Sequence, residues 1–144
     1  MKKTLKVPKF RYSPFKEGLD QILGKLEKQI METLWLRGES SVRDILEGLN
    51  HSQSYTYSTL ITVMNRLSNK GILEKKKVGK TFFYKPTYTK AELLDIVSKK
   101  VIQGISELSL QATILNFIDY ISSKDSKQLD HLSELIKNRK KQNL

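Results

Sequence analysis

The stretch from Tyr55 to Pro86 constrains this chain more than any other. Stepping from Leu60 at 100° per residue brings Val63, Met64 and Leu67 within about 60° of it, which is the apolar side of a helix. Ser58, Thr62 and Asn65 fall opposite, Thr59 and Arg66 on the adjoining flank, and Ile61 near the boundary. Lys70-Gly71 stops the helix, since glycine accepts the backbone turn that ends one. Two strands should follow, over 72–77 and 81–85, with Val78-Gly79 at the turn. Phe82 and Tyr84 share one face of the second strand and Phe83 takes the other, so one side must pack on helices. Lys75, Lys76, Lys77 and Lys80 surround the turn. Clustered lysines repel one another unless a polyanion lies across them. A charged edge that blocks aggregation is the competing reading.

Upstream, Ile22, Leu23, Leu26, Ile30 and Leu34 recur at helical spacing and predict a helix over 19–36. Trp35 reads as a core anchor, and Arg37-Gly38 as the stop. Ser41-Val42-Arg43-Asp44 matches a capping box that opens a second helix, with Val42, Ile45, Leu46 and Leu49 buried. A polar connection, 50–54, leads to the third helix. Three helices followed by a basic hairpin outline a winged helix-turn-helix. In that arrangement one helix enters the DNA major groove and a hairpin grips the backbone.

The outer face of the third helix carries Ser, Thr, Asn and Arg, with no acid to repel phosphate. Hydroxyls can donate to phosphates or base edges. Arginine can grip guanine O6 and N7, or a phosphate, with two hydrogen bonds. The candidate DNA-binding residues are Ser58, Thr59, Thr62, Asn65, Arg66, Lys75, Lys76, Lys77 and Lys80, together with Tyr57. A merely solvated amphipathic face, which usually mixes Glu with Lys, is the alternative.

Charge follows the same division. The formal net charge is +11. Residues 1–88 hold 17 Lys/Arg against 8 Asp/Glu, whereas residues 89–144 hold 9 against 7. A one-sided basic domain suits a polyanion. Residues 1–16 carry Lys2, Lys3, Lys6, Lys9, Arg11 and Lys16 and no acid, with Pro8 and Pro14 against any helix. They read as a solvated tail, with an arm that follows DNA as the alternative.

After Pro86 the pattern turns helical. Thr89-Lys90-Ala91-Glu92 is a second capping box, and Asp125 caps a last helix. Leu93, Val97, Val101 and Ile105 recur every four residues; Ile114, Phe117 and Ile118, then Leu132 and Leu135, follow on later helices. Three amphipathic helices in so short a segment make a poor core alone. Their apolar faces would bury against a second copy, or fold back on the first domain. The expected organisation is mainly α with a small β-hairpin. It comprises a basic extension (1–21), a winged helix (22–88) and a helical dimerisation domain (89–144). Dimerisation matters because two recognition helices read two half-sites about one helical turn, or a multiple of it, apart.

Other functions find little support. The chain has no cysteine, and His51 and His131 lack ligand spacing, so no metal or other cofactor is expected. No Ser/His/Asp, Cys/His or paired-carboxylate arrangement and no glycine-rich phosphate loop suggests an enzyme. No run of 18 apolar residues would span a membrane and no signal-peptide segment opens the chain, so a cytoplasmic location is expected. A module for protein docking or nonspecific nucleic-acid binding is the alternative function.

These residues resemble the penicillinase and methicillin-resistance repressor family (BlaI/MecI type), to which copper-transport repressors are related. The matching pieces are Leu26-Glu27 through Leu34-Trp35, Tyr55-Thr56-Tyr57-Ser58-Thr59 with Thr62 and Arg66-Leu67, Lys70-Gly71, and Gly79-Lys80 with Phe83-Tyr84-Lys85-Pro86. The likeness covers about residues 22–144, strongly to 88 and by pattern beyond. It implies a homodimeric repressor on palindromic operator DNA, with Thr56, Ser58, Thr59, Thr62 and Arg66 facing the duplex. In the antibiotic-resistance members a membrane sensor triggers proteolysis at an Asn-Phe bond in the dimer domain. Leu115-Asn116-Phe117 stands in the corresponding region, where Phe117 equally suits ordinary helix packing. Copper members bind metal through cysteines that this chain lacks.

Overall fold

The structure is a computed structural model and describes residues 8–49 and 54–143. The polar connection at 50–53, with His51, and the first part of the basic arm, with Lys2, Lys3 and Lys6, lie outside the described residues. Two compact units divide the chain, Met1–Val97 and Ser98–Leu144.

The first unit opens with a short 3-10 helix at Gly18–Gln21, then α1 (Lys25–Arg37). The helix expected from residue 19 is therefore broken. Gly24 adopts an extended backbone as N-cap and donates its N–H to Glu27 Oε2 at 3.0 Å. Leu19, Ile22 and Leu23 are still buried, so the apolar spacing marks core positions rather than one continuous helix. At the other end α1 stops at Gly38, whose φ of 84° costs a side chain far more than it costs glycine. Trp35 donates its ring N–H to the Tyr88 carbonyl at 2.9 Å, which ties α1 to the segment after the hairpin.

Strand β1 (Ser40–Ser41) and α2 (Val42–Leu49) follow. Ser41 plays two parts. It pairs with Phe83 in the sheet, and it exchanges hydrogen bonds with Asp44, Ser41 N–H to Oδ2 at 2.9 Å and Asp44 N–H to Oγ at 3.2 Å. Helix α3 (Tyr57–Asn69) buries Leu60, Val63, Met64 and Leu67, the side read from the sequence. Strands β2 (Leu73–Val78) and β3 (Thr81–Pro86) complete an antiparallel sheet in the order β1-β3-β2. Val78 pairs with Thr81, so the turn is Gly79-Lys80 rather than Val78-Gly79. Gly79 has φ of 64° and Lys80 does not have a positive φ, the pattern of a type II′ hairpin turn with glycine first.

The arm is tied down from Pro8 onward. Pro8 is buried, Lys9 N–H bonds the Lys70 carbonyl at 2.9 Å, and Ser13 N–H bonds the Gln21 carbonyl at 2.7 Å. The solvated tail expected over 1–16 is corrected for this part: proline offers apolar surface at no donor cost, and it packs beside Gly71.

Helix α4 (Lys90–Leu108) begins in the first unit with the expected box, Thr89 N–H to Glu92 Oε2 at 2.9 Å and Glu92 N–H to Thr89 Oγ1 at 3.1 Å. Only Ser109 separates it from α5 (Leu110–Lys124), and the Ser109 hydroxyl caps Ala112 N–H at 3.1 Å. Helix α6 (Lys127–Gln142) follows, its first N–H bonded to Asp125 Oδ1 at 3.0 Å.

Candidate nucleic-acid interface

The elements that bear the candidate residues are held rigidly from below. Leu60, Met64 and Leu67 on α3 are fully buried against α1 and α2. Tyr55 donates its hydroxyl to Gln29 Oε1 at 2.9 Å, fixing the entry to α3 on α1. At the exit, Lys70 Nζ meets the buried Glu27 carboxylate at 3.1 Å.

The N-terminus of α3 suits an anion. Thr56 is the N-cap; its Oγ1 accepts from Thr59 N–H at 3.2 Å and lies 2.9 Å from Thr59 Oγ1. The first turn has no acid, so the positive end of the helix dipole is not neutralised. Tyr57, Ser58, Thr59, Thr62 and Arg66 are all exposed. Thr62 gives its hydroxyl proton to the Ser58 carbonyl at 2.9 Å. What it offers outward is a methyl group and an oxygen acceptor.

The hairpin, or wing, distributes its lysines by strand alternation. Lys75 stands opposite Tyr84 and Lys77 opposite Phe82, so these four share a face; Lys76, opposite Phe83, takes the other. Lys75 Nζ lies 4.2 Å from the centroid of the Phe82 ring, and Lys77 Nζ lies 5.6 Å from it. Contact with the ring face holds ammonium groups close to one another at reduced cost. Lys80 sits in the turn at the tip. At the base, Glu74 and Lys85 form an exposed ion pair at 3.2 Å, which adds little stability.

Asn65 is the candidate whose surroundings differ most from expectation. It is half-buried, and its Oδ1 accepts from Tyr84 Oη at 2.6 Å and from Lys75 Nζ at 3.0 Å. The face bearing Phe82 and Tyr84 is thus the one that meets the helices, and Tyr84 is fully buried there. Burial pushes the Tyr84 phenol up from its usual pKa, with a smaller contribution from Tyr57, so it stays a proton donor.

Sequence reasoning missed one part of this surface. A groove of about 390 Å³ is lined by Ser41, Val42, Arg43, Tyr57, Ile61, Lys80, Thr81 and Phe82. It brings the exposed Arg43 of α2 beside the start of α3 and the wing tip. The signal was present, since Arg43 lies between buried Val42 and Ile45 on the polar side of α2, but nothing in the chain order places it near Lys80.

Two expected dimerisation residues are corrected. Leu93 and Val97 are 1% and 8% exposed within their own chain, so they belong to the first unit's core and offer a partner little surface. Val101 and Leu132 are half-buried, whereas Ile105, Ile114, Phe117, Ile118 and Leu135 are exposed. Asn116 is exposed and lies with Phe117 in the middle of α5. Among the described residues no helix is long and apolar enough to cross a membrane, and no cluster of His, Asp and Glu could hold a metal ion.

A family model described as penicillinase repressor matches residues 23–138. The chain is 25% identical to the penicillinase repressor of Bacillus licheniformis over 118 residues, 81% of this chain and 92% of that one. It is 25% identical to the methicillin resistance regulatory protein MecI of Staphylococcus aureus over 113 residues, 78% of this chain and 89% of that one. Among solved structures it is similar, at 22% identity and a TM-score of 0.45, to the DNA binding domain of the repressor BlaI, over 54% of this chain and 93% of that one.

Proposed function

The chain belongs to the penicillinase repressor family, and from that premise we propose that it is a homodimeric transcriptional repressor that binds palindromic operator DNA through its winged helix. The family is one of repressors rather than enzymes. The observation that carries the DNA reading is the acid-free outer face of α3, with Ser58, Thr59, Thr62 and Arg66 exposed beside wing lysines. Helix α3 enters the major groove. Arg66 reads a guanine edge or clamps a phosphate, while Lys76, Lys77 and Lys80 neutralise backbone phosphates. A second copy supplies the second half-site at high effective concentration, and affinity rises without new kinds of contact.

Dimerisation is supported by the apolar surface of the second unit. Ile102, Ile105, Leu108, Ile114, Phe117 and Ile118 are exposed on α4 and α5, and exposed apolar residues grouped in this way are what an interaction surface offers. Release by a sensor protease at Asn116-Phe117 is the second part of the reading. The bond lies inside a helix, and proteases bind extended chain, so cleavage requires α5 to open locally. A helix with no buried residue opens at low cost once its partner is gone.

The test is selection of bound sites from random duplex DNA at two salt concentrations. A two-fold-symmetric consensus is expected. Binding without consensus, lost steeply as salt rises, would leave only backbone contacts and favour a nonspecific nucleic-acid or protein-docking module instead.

A further inference from the structure

The amide of Asn65 is where recognition helix and wing meet, and its chemistry limits what it can do. Lys75 has only donors on its ammonium group, so the amide atom it meets at 3.0 Å must be the oxygen. Tyr84 Oη lies 2.6 Å from that same atom and must donate as well. An amide oxygen has two lone pairs, and both are then occupied. Reading adenine in the major groove needs that oxygen to accept from the base N6 while the amide nitrogen donates to N7. Asn65 therefore has no acceptor left for an adenine edge.

We propose that Asn65 is a positioning residue rather than a base reader: its side-chain oxygen, held by Tyr84 and Lys75, clamps the wing to the recognition helix and sets the angle at which both meet the duplex. Resting on the repressor reading above, this gives the wing a part in sequence preference without a base contact of its own. The clamp has a rigid side and an exposed side. The Tyr84 ring is fully buried and its hydroxyl is fixed by the strand. Lys75 lies on the outside, over Phe82 at 4.2 Å, with two ammonium protons left for a phosphate. Phosphate binding at Lys75 and base contact by α3 thereby share one support. A wing that swings away from α3 loses both.

The experiment compares the parent chain with Tyr84→Phe, Asn65→Ala and the double variant, each shown to be folded by circular dichroism. The probes are a duplex selected from random DNA by the parent and an unrelated duplex of equal length. Each single variant should lower the ratio of selected to unrelated affinity by roughly fivefold, about the worth of one well-placed hydrogen bond. The double variant should fall no further than the worse single, since both remove one clamp. Multiplying losses, or a Tyr84→Phe variant that keeps the parent ratio, would overturn the proposal and return Asn65 to direct readout. A second measurement needs no DNA. The chain has no cysteine, so nitroxides on Asn69→Cys and Lys80→Cys, in chains diluted with an excess of unlabelled parent, report the distance from α3 to the wing tip within one chain. That distance should be narrowly distributed in the parent and in Asn65→Asp, whose carboxylate still accepts both bonds, and broad in Tyr84→Phe. Equal widths in parent and Tyr84→Phe would overturn the clamp. If the parent selects no consensus the repressor reading falls, and the distance measurement still decides the clamp.

Discussion

Helices α3 and α5 both carry apolar residues at helical spacing and differ in fate. On α3, Leu60, Met64 and Leu67 are fully buried against α1, α2 and the sheet. On α5 no residue is buried, and Ile114 and Phe117 are each 49% exposed. The same apolar spacing closes a core in the first unit and leaves an uncovered face in the second. An amphipathic pattern states that a face must be covered, not what covers it.

The contrast breaks most visibly under truncation. Leu67→Ala should cost about 2–5 kcal/mol, because the site sits at the centre of a closed core and leaves a cavity. The check is the midpoint of chemical denaturation, followed by Trp35 fluorescence. Ile114→Ala should leave that transition unchanged and instead weaken any association of the chain. A large loss of first-unit stability from Ile114→Ala would abolish the distinction drawn here.

Next in size is Arg66→Ala, expected to cost about 1–3 kcal/mol against a selected duplex by losing a bidentate contact. Lys76→Gln should instead weaken binding to all sequences and reduce the slope of log affinity against log salt by about one. Titrations at several salt concentrations distinguish the two effects, and two unchanged variants would remove the DNA reading.

Trp35→Phe deletes the donor to the Tyr88 carbonyl and should cost about 0.5–1.5 kcal/mol. Thermal melting of the first unit checks it, since this bond ties α1 to the start of α4.

The smallest effect concerns acid. Asp44 has its pKa lowered, first by the Ser41 backbone N–H and then by its hydroxyl, with burial opposing them. A carboxylate with a depressed folded pKa contributes stability above its ordinary value of 3.8, and that contribution is lost as pH falls through the lower folded value. Asp44→Asn should therefore lower stability slightly at neutral pH and flatten its fall below about pH 4. Parallel acid denaturation curves would contradict this.

Local features were legible in the sequence because their causes are local. The boxes at Ser41/Asp44 and Thr89/Glu92, the stop at Gly38 and the buried side of α3 each depend on residues within one or two turns. What escaped depends on distant partners. The break before α1 needs Glu27, which also holds Lys70 from the end of α3. Two residues of β1 are too few to show alternation. Pro8 is buried beside Gly71, and its neighbour Lys9 bonds Lys70, partners far along the chain. Leu93 and Val97 show the same four-residue spacing as Val101 and Ile105, yet they belong to the first unit's core. At the candidate site, the outward side chains of α3 could be read from angle alone. The commitment of Asn65 could not, since Tyr84 and Lys75 reach it from another element, and Arg43 comes to line one groove with the wing tip only in three dimensions.

The central claim is that a second copy of the chain covers the uncovered face. Sedimentation equilibrium of the full chain over a range of concentrations tests it most directly. The account predicts a single association step to twice the 16.7 kDa of one chain, shifted to higher concentration by Phe117→Ser. A mass that stays at one chain at every concentration, or an association that Phe117→Ser leaves untouched, would contradict it.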